Sequence, residues 1–226
     1  MISNYDEFCA ELTKAGFTLA SGGNDEGVFS LLGQAGGAVK WHTGDPVTDP
    51  WEWRMRVLNE REDIAYGKVF FGKAGYITEE WYPYFLAVRR GGKDFDEAYS
   101  EGTISRLSKT VYDLIRKNGG LSLHEVKALG GFGKEDSPKI EKALTDLQTG
   151  LFITISGHKK KISKSNADFG WITSVFRLTE SFWPPSVFEK AASVNSAEAE
   201  EAITGRIYRL NPSADGKKVK RFICGK

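Results

Sequence analysis

The segment from Thr103 to Leu178 constrains the fold most tightly, because helix starts, helix stops and strand patterns follow one another there in a fixed order. Ile104, Leu107, Val111, Leu114 and Ile115 recur at helical spacing, and Gly119 supplies a stop. Ser122 and Glu125 stand at capping-box spacing ahead of a short helix, "LHEVKALGG". Ser137 and Pro138 open a third helix carrying Ile140, Leu144 and Leu147. Leu151 to Ile155 reads as a β-branched strand, and "WITSVFRL" sets Ile172, Ser174 and Phe176 against Trp171, Thr173 and Val175. Helix, short helix, helix, strand, loop, strand is the order of a winged helix-turn-helix, which is predicted over residues 103–182. Leu107, Val111, Leu114, Leu144, Leu147, Phe152 and Phe176 are predicted to share its core.

The flanks are less regular. Residues 1–102 read as a mostly helical region with an aromatic-rich segment, and residues 183–226 as a C-terminal helical extension. Tyr5, Phe8 and Leu12 predict a first helix ending near Gly16. From Thr18 to Pro50 glycine and turn dipeptides predict loose order and at most one hairpin, built on Val28–Leu32 and Ala38–Trp41. Asp49, Pro50 and Glu52 predict a helix start with an acidic capping box. The stretch "DIAYGKVFFGKAGYI" fits helix or strand. A helix is predicted to begin near Tyr82 and a short one after Asp94, while "FWPPSVF" marks a turn before two further helices. The fold class expected is mainly α with small β elements (α+β).

Charge decides which partners deserve thought. With 31 Lys and Arg against 30 Asp and Glu, no global field draws the chain to a polyanion, so any such contact rests on local patches. One patch is "HKKKISK", where His158, Lys159, Lys160, Lys161 and Lys164 crowd between the two expected wing strands. Lys134 and Lys139 stand at the start of the third helix, and Lys217, Lys218, Lys220 and Arg221 decorate the last one. A wing touches backbone phosphates while the third helix enters the major groove. That helix also carries Glu135, Asp136, Glu141 and Asp146, and no Arg or Asn lies between Lys134 and Gln148, so base reading would fall to Gln148 or lysines. Double-stranded DNA held without much sequence preference is the expected ligand; a protein partner or a homodimer is the other reading. Charge runs on terminal helices and loops are also ordinary solvated faces.

Chemistry finds little support. Asp45, Asp49 and Glu52, beside Trp41, His42, Trp51 and Trp53, form the one compact set of acids and stacking rings, although capping explains Asp49 and Glu52, and tryptophans usually fill cores. His42, His124 and His158 lack ligand spacing, and neither metal nor cofactor is expected. The glycines of "SGG" and "QAGG" lack the lysine and the strand-to-helix setting of a phosphate loop. Cys9 and Cys224 form no scaffold, no apolar run is long enough to span a membrane, and the first residues do not suit a signal peptide, so a cytoplasmic protein is expected.

The runs "DPWEWRMRVLNEREDIAYGKVFFGKAGYITEEWYPYFLAVRR", "SKTVYDLIRKNGGLSLHEVKALGGFGKED" and "KIEKALTDLQTGLFIT" resemble a branch of bacterial proteins related to the DNA glycosylase AlkZ, over residues 1–210. The resemblance implies winged-helix architecture and a relation to nucleic acid. AlkZ enzymes are larger, repeat the winged helix and carry a glutamine, any residue, glutamine motif. Here the two glutamines, Gln34 and Gln148, lie far apart, so no catalytic residue carries over. The expectation is a DNA-binding protein without base excision, with a glycosylase-like repair enzyme and an interaction module as alternatives.

Overall fold

A computed structural model describes residues 1–21, 26–162 and 168–225, with the backbone alone for 160–162 and 168–172. Six strands, β1 (Phe17–Leu19), β2 (Ile64–Phe70), β3 (Lys73–Thr78), β4 (Leu121–Ser122), β5 (Ile153–Ile162) and β6 (Asp168–Leu178), form one antiparallel sheet in the order β1-β3-β2-β5-β6-β4. The winged helix-turn-helix is its second half. Helices α5 (Arg106–Asn118), α6 (Leu123–Gly130) and α7 (Ser137–Thr149) precede the β5–β6 wing, and β4 pairs with β6 through Leu121↔Phe176 and Ser122↔Val175. The caps act where the sequence puts them. Ser122 Oγ accepts from Glu125 N–H while the Glu125 carboxylate accepts from Ser122 N–H at 2.7 Å, and Gly119 ends α5 at φ 75°. Val111, Leu144, Leu147, Phe152 and Phe176 are buried in the shared core, with Leu107 and Leu114 partly buried at its margin.

Strand β5 is longer than predicted. The ladder runs through the basic stretch, pairing His158↔Ser174, Lys159↔Thr173 and Lys160↔Ile172, so Lys159, Lys160 and Lys161 belong to a strand and not to a loop. Pairing with β6 decides this, because lysine has no local preference that would announce a strand.

The first half of the chain contributes more β-structure than its periodicity announces. After α1 (Tyr5–Ala15) and α2 (Pro50–Glu60), β2 and β3 form a hairpin that settles the undecided stretch as strand, and Tyr66↔Ile155 joins that hairpin to the wing. Gly75 of β3 permits close packing inside the sheet: a Cβ there would lie 2.4 Å from the Phe70 ring of β2 and 2.9 Å from Thr18 O of β1. No hairpin occupies 28–41. Val28, Phe29, Leu31 and Leu32 are buried instead in turns and a 3₁₀ segment, Leu32–Gln34, while Gly22 and Gly23 of the first glycine cluster lie outside the described residues.

Helices α3 (Tyr82–Arg90) and α4 (Phe95–Ser100) lead into the winged unit, and α8 (Thr179–Phe182), α9 (Pro185–Ser193), α10 (Ser196–Leu210) and α11 (Gly216–Cys224) follow it. The proline turn expected after Phe182 is the start of α9, with Pro185 in its first turn, where a missing N–H costs nothing. The last helix returns to the first half: the Phe222 ring stacks on Phe70 at 3.8 Å and lies 5.8 Å from Phe17. Half-buried Arg89 ties α11 to β2 and α7, donating to the carbonyls of Val69, Thr149, Phe222 and Ile223 at 2.8 to 3.0 Å. Among the described residues no helix is long and apolar enough to cross a membrane.

Candidate nucleic-acid interface

The helix that a winged fold offers to a groove is α7, and its outer face is electrically balanced. Lys139, Glu141, Lys142 and Asp146 are exposed there, and the Lys142 Nζ lies 2.7 Å from Asp146. Lys134 is exposed in the turn before the helix, beside Asp136, whose carboxylate accepts from Gly133 N–H at 3.1 Å at the helix entry. Negative charge at that terminus competes with any phosphate for the helix dipole. Gln148, the one side chain of its type available to read bases, is 2% exposed and committed at both ends: Oε1 accepts from Lys68 N–H at 3.0 Å and Nε2 donates to Leu144 O at 2.9 Å. It is a tie between α7 and β2, which corrects the reading of Gln148 as a base-reading residue. Beside it, α7 and the wing enclose a groove of about 320 Å³ lined by Leu123, Glu141, Thr145, Gln148, Thr173 and Phe176.

The basic stretch of the sequence falls on the wing strand β5. Lys159 projects from β5, yet its Nζ is 2.9 Å from Glu125, the same carboxylate that caps α6 and whose pKa is lowered because the Ser122 N–H and Lys159 outweigh its burial. The bridge clamps the wing to α6 and partly spends one lysine. His158 is half-buried, its pKa pushed down to about 4 by burial and by the nearby Arg54 charge, and its Nδ1 finds no hydrogen-bond partner among the described residues. A depressed pKa favours the neutral imidazole, so the stretch "HKKKISK" draws its positive charge from its lysines. The side chains of Lys160 and Lys161, and all of Lys164, lie outside what the structure describes.

Lys217, Lys218, Lys220 and Arg221 are exposed on α11, with Val219, Phe222 and Ile223 turned into the core. Their surroundings are the first half of the chain: Lys218 lies against Gly27, and the Arg221 guanidinium is 5.6 Å from the Phe71 ring. None of these described contacts reaches the wing.

The acid and tryptophan set divides into two. Trp53 is wholly buried, stacked 5.3 Å from Phe8, with its indole N–H donating to Val47 O at 3.0 Å. Asp49 is covered, but shallowly, by its own loop: one carboxylate oxygen accepts from Thr43 N–H at 2.7 Å and Gly44 N–H at 3.0 Å, the other from Trp51 N–H at 2.8 Å. Burial alone would raise its pKa, but these amides more than offset it, and the net shift is downward. Asp45 is likewise lowered, by the Thr48 hydroxyl and Val47 N–H. The expected capping box at α2 does not form, because Asp49 N–H donates to Asp45 O at 2.9 Å and leaves Glu52 no amide to reach back to. Asp45 and Asp49 thus shape a loop.

Of what that loop presents, Trp41, His42 and Trp51 are the rings that the sequence groups with the acids, while Arg54 is not in that set. Trp41 and Trp51 remain 36% and 43% exposed, the His42 ring lies 6.2 Å from Trp41 and 5.1 Å from Trp51, and the Arg54 guanidinium covers Trp51 at 3.3 Å. Trp51 and Arg54, one helical turn apart, were the sequence signal for half of this row. Among the described residues no group of three or more His, Cys, Asp or Glu side chains is placed to hold a metal ion. A larger cleft, about 490 Å³, lies between α3, α5 and α7, where Arg90 and Lys93 are already paired with Glu180 and Glu101.

Compared with known proteins, the chain matches a family model described as "AlkZ related" over residues 2–224. No curated protein and no solved structure matches it.

Proposed function

Because the chain belongs to the AlkZ-related family and folds as a winged helix-turn-helix within a larger sheet, we propose that it binds double-stranded DNA through the backbone, with little reading of sequence and without excising bases. The observation that carries this reading is the contrast between α7 and the wing. The groove-entering helix has a charge-balanced face and a sequestered Gln148, whereas β5 carries Lys159, Lys160 and Lys161 in a paired strand, with Lys164 following in the sequence. Phosphate contacts hold and orient a duplex without specifying its sequence, while specificity needs paired donors and acceptors at base edges. The absence of excision is supported by the fate of three polar groups: Asp45 and Asp49 are engaged by their own loop and Gln148 by two backbone groups, which leaves Glu52, partly exposed, as the acid the assay must test. A base-excision site needs a carboxylate or a polarised water free to face the sugar.

The test is a set of titrations against several unrelated duplexes at one salt concentration, with a parallel single-turnover assay for release of alkylated bases. Affinities within about threefold across sequences, far below the 10³-fold or greater ratios of specific binders, are expected, with no base released. A strong preference for one sequence overturns the non-specific reading. Base release that is lost in Asp49→Ala or Glu52→Gln establishes the repair-enzyme reading in its place.

A further inference from the structure

The row of Trp41, His42, Trp51 and Arg54 is not explained by backbone binding through the wing. We propose that it is a stacking platform for an unpaired base of a DNA strand, engaged beside the duplex; the choice of ligand rests on the DNA-binding reading above.

Three features separate the row from an ordinary exposed tryptophan. First, it is continuous: Arg54 lies 3.3 Å from the Trp51 ring centre, Trp51 5.1 Å from His42, and His42 6.2 Å from Trp41. An Arg54 and Trp51 pair would by itself be no more than a local helix contact, but His42 and Trp41 reach it from a separate loop. Second, the loop is held in an uncommon shape. His42 adopts φ 60° and Gly44 φ 75°, both left-handed, and a covered carboxylate, Asp49, is spent on the Thr43 and Gly44 amides. Third, the rings are left open after the core is satisfied. Trp53 fills the interior from the same helix, while Trp41, Trp51 and Val47 stay exposed together.

The chemistry of the row favours a nucleobase. Every base has a π-face that stacks on indole or imidazole regardless of identity, and an adjacent guanidinium pairs with the phosphate that follows. Asp45 and Asp49, their pKa lowered, stay charged on hydroxyl and amide donors of their own loop, and Glu52 is partly exposed, so the row attracts a base through its ring faces and Arg54 and not through the charge of the loop. On its other side Arg54 influences both Tyr66 of β2 and His158 of β5. The platform therefore adjoins the strand that continues into the wing lysines.

The experiment compares one duplex, fully paired, with the same duplex carrying 2-aminopurine as a single-nucleotide bulge, using the full chain. Binding about tenfold tighter to the bulge, with quenched 2-aminopurine emission, is expected. Trp41→Ala and Arg54→Ala should each abolish that preference while leaving paired-duplex affinity within about twofold, in line with the removal of a base contact that the paired duplex does not make. Trp41 lies in an exposed loop, so an unchanged melting curve of its variant certifies folding. Equal affinity for the two duplexes, or a preference retained in both variants, overturns the platform. If no duplex is bound at all, the wing reading fails separately, and quenching of tryptophan emission by a single-stranded oligonucleotide still decides the platform. Self-association that shields Trp41 and Trp51, without such quenching, makes the row a protein interface and overturns the proposal.

Discussion

Replacing Asp49 by alanine tests the link between a single carboxylate and the shape of the aromatic loop. Asp49 caps α2 through Trp51 N–H at 2.8 Å and holds the 43–44 turn through two more amides at 2.7 and 3.0 Å. Loss of an N-cap costs about 1 kcal/mol. Two partly covered amides left without an acceptor add about 1 kcal/mol each, at the low end for unsatisfied groups because water can reach a shallow site. The expected total is about 3 kcal/mol, read as a fall in the urea midpoint at constant slope. Asp49→Asn should retain the cap but place an amide donor where two N–H groups need an acceptor, with a loss of about 2 kcal/mol. The folded-state pKa of Asp49 lies below its ordinary value, so its contribution is fully present above about pH 4 and disappears as pH falls through the folded pKa. The alanine variant should therefore show a shallower loss of stability in acid. A variant within about 0.5 kcal/mol of the parent, the usual range for an uninvolved surface position, would refute the reasoning.

Three further outcomes follow from other parts of the fold. His158 has a pKa of about 4 when folded against an ordinary 6.5, so the unfolded chain takes up the proton first; stability should decline as pH drops from about 6.5 toward 4, and His158→Gln should flatten that decline in urea titrations at each pH. Phe222→Ala removes a ring stacked on Phe70 at 3.8 Å in a fully buried site, and should cost about 3–5 kcal/mol by chemical denaturation. Gly75→Ala places a methyl 2.4 Å from the Phe70 ring and 2.9 Å from a backbone carbonyl, so a loss of about 1–3 kcal/mol is expected; a neutral result would show that β1 and β3 part easily.

The sequence is most legible where structure is local. Ser122 and Glu125, Pro138 and Gly119 act within one turn of chain, and the three helices of the winged unit start and stop beside them. The β2–β3 hairpin was undecidable because Gly67, Gly72 and Gly75 interrupt its alternation, and its strand character comes from cross-strand pairs such as Tyr66↔Tyr76 and from the bridge to Ile155. The two residues of β4 are too few to show any period. Electrostatic roles were hidden for a related reason. Lys159 meets Glu125 and Arg54 influences His158 across long sequence separations, so a run that reads as uniformly basic contains one clamped lysine and one neutral histidine. Asp49 was legible as a cap, but its grip on Thr43 and Gly44, which builds the aromatic row, depends on a loop whose path no period announces.

The measurement that bears most directly on DNA binding through the wing is the salt dependence of duplex affinity for the parent and for a variant with Lys159, Lys160, Lys161 and Lys164 changed to alanine. Each lost phosphate contact lowers the slope of log affinity against log salt by about 0.9. With Lys159 held on Glu125, three contacts and a reduction of about 2.7 are predicted, nearly equal for every duplex sequence, while the variant stays folded. A folded variant with unchanged affinity and unchanged slope would contradict the account and leave the basic strand a solvated face.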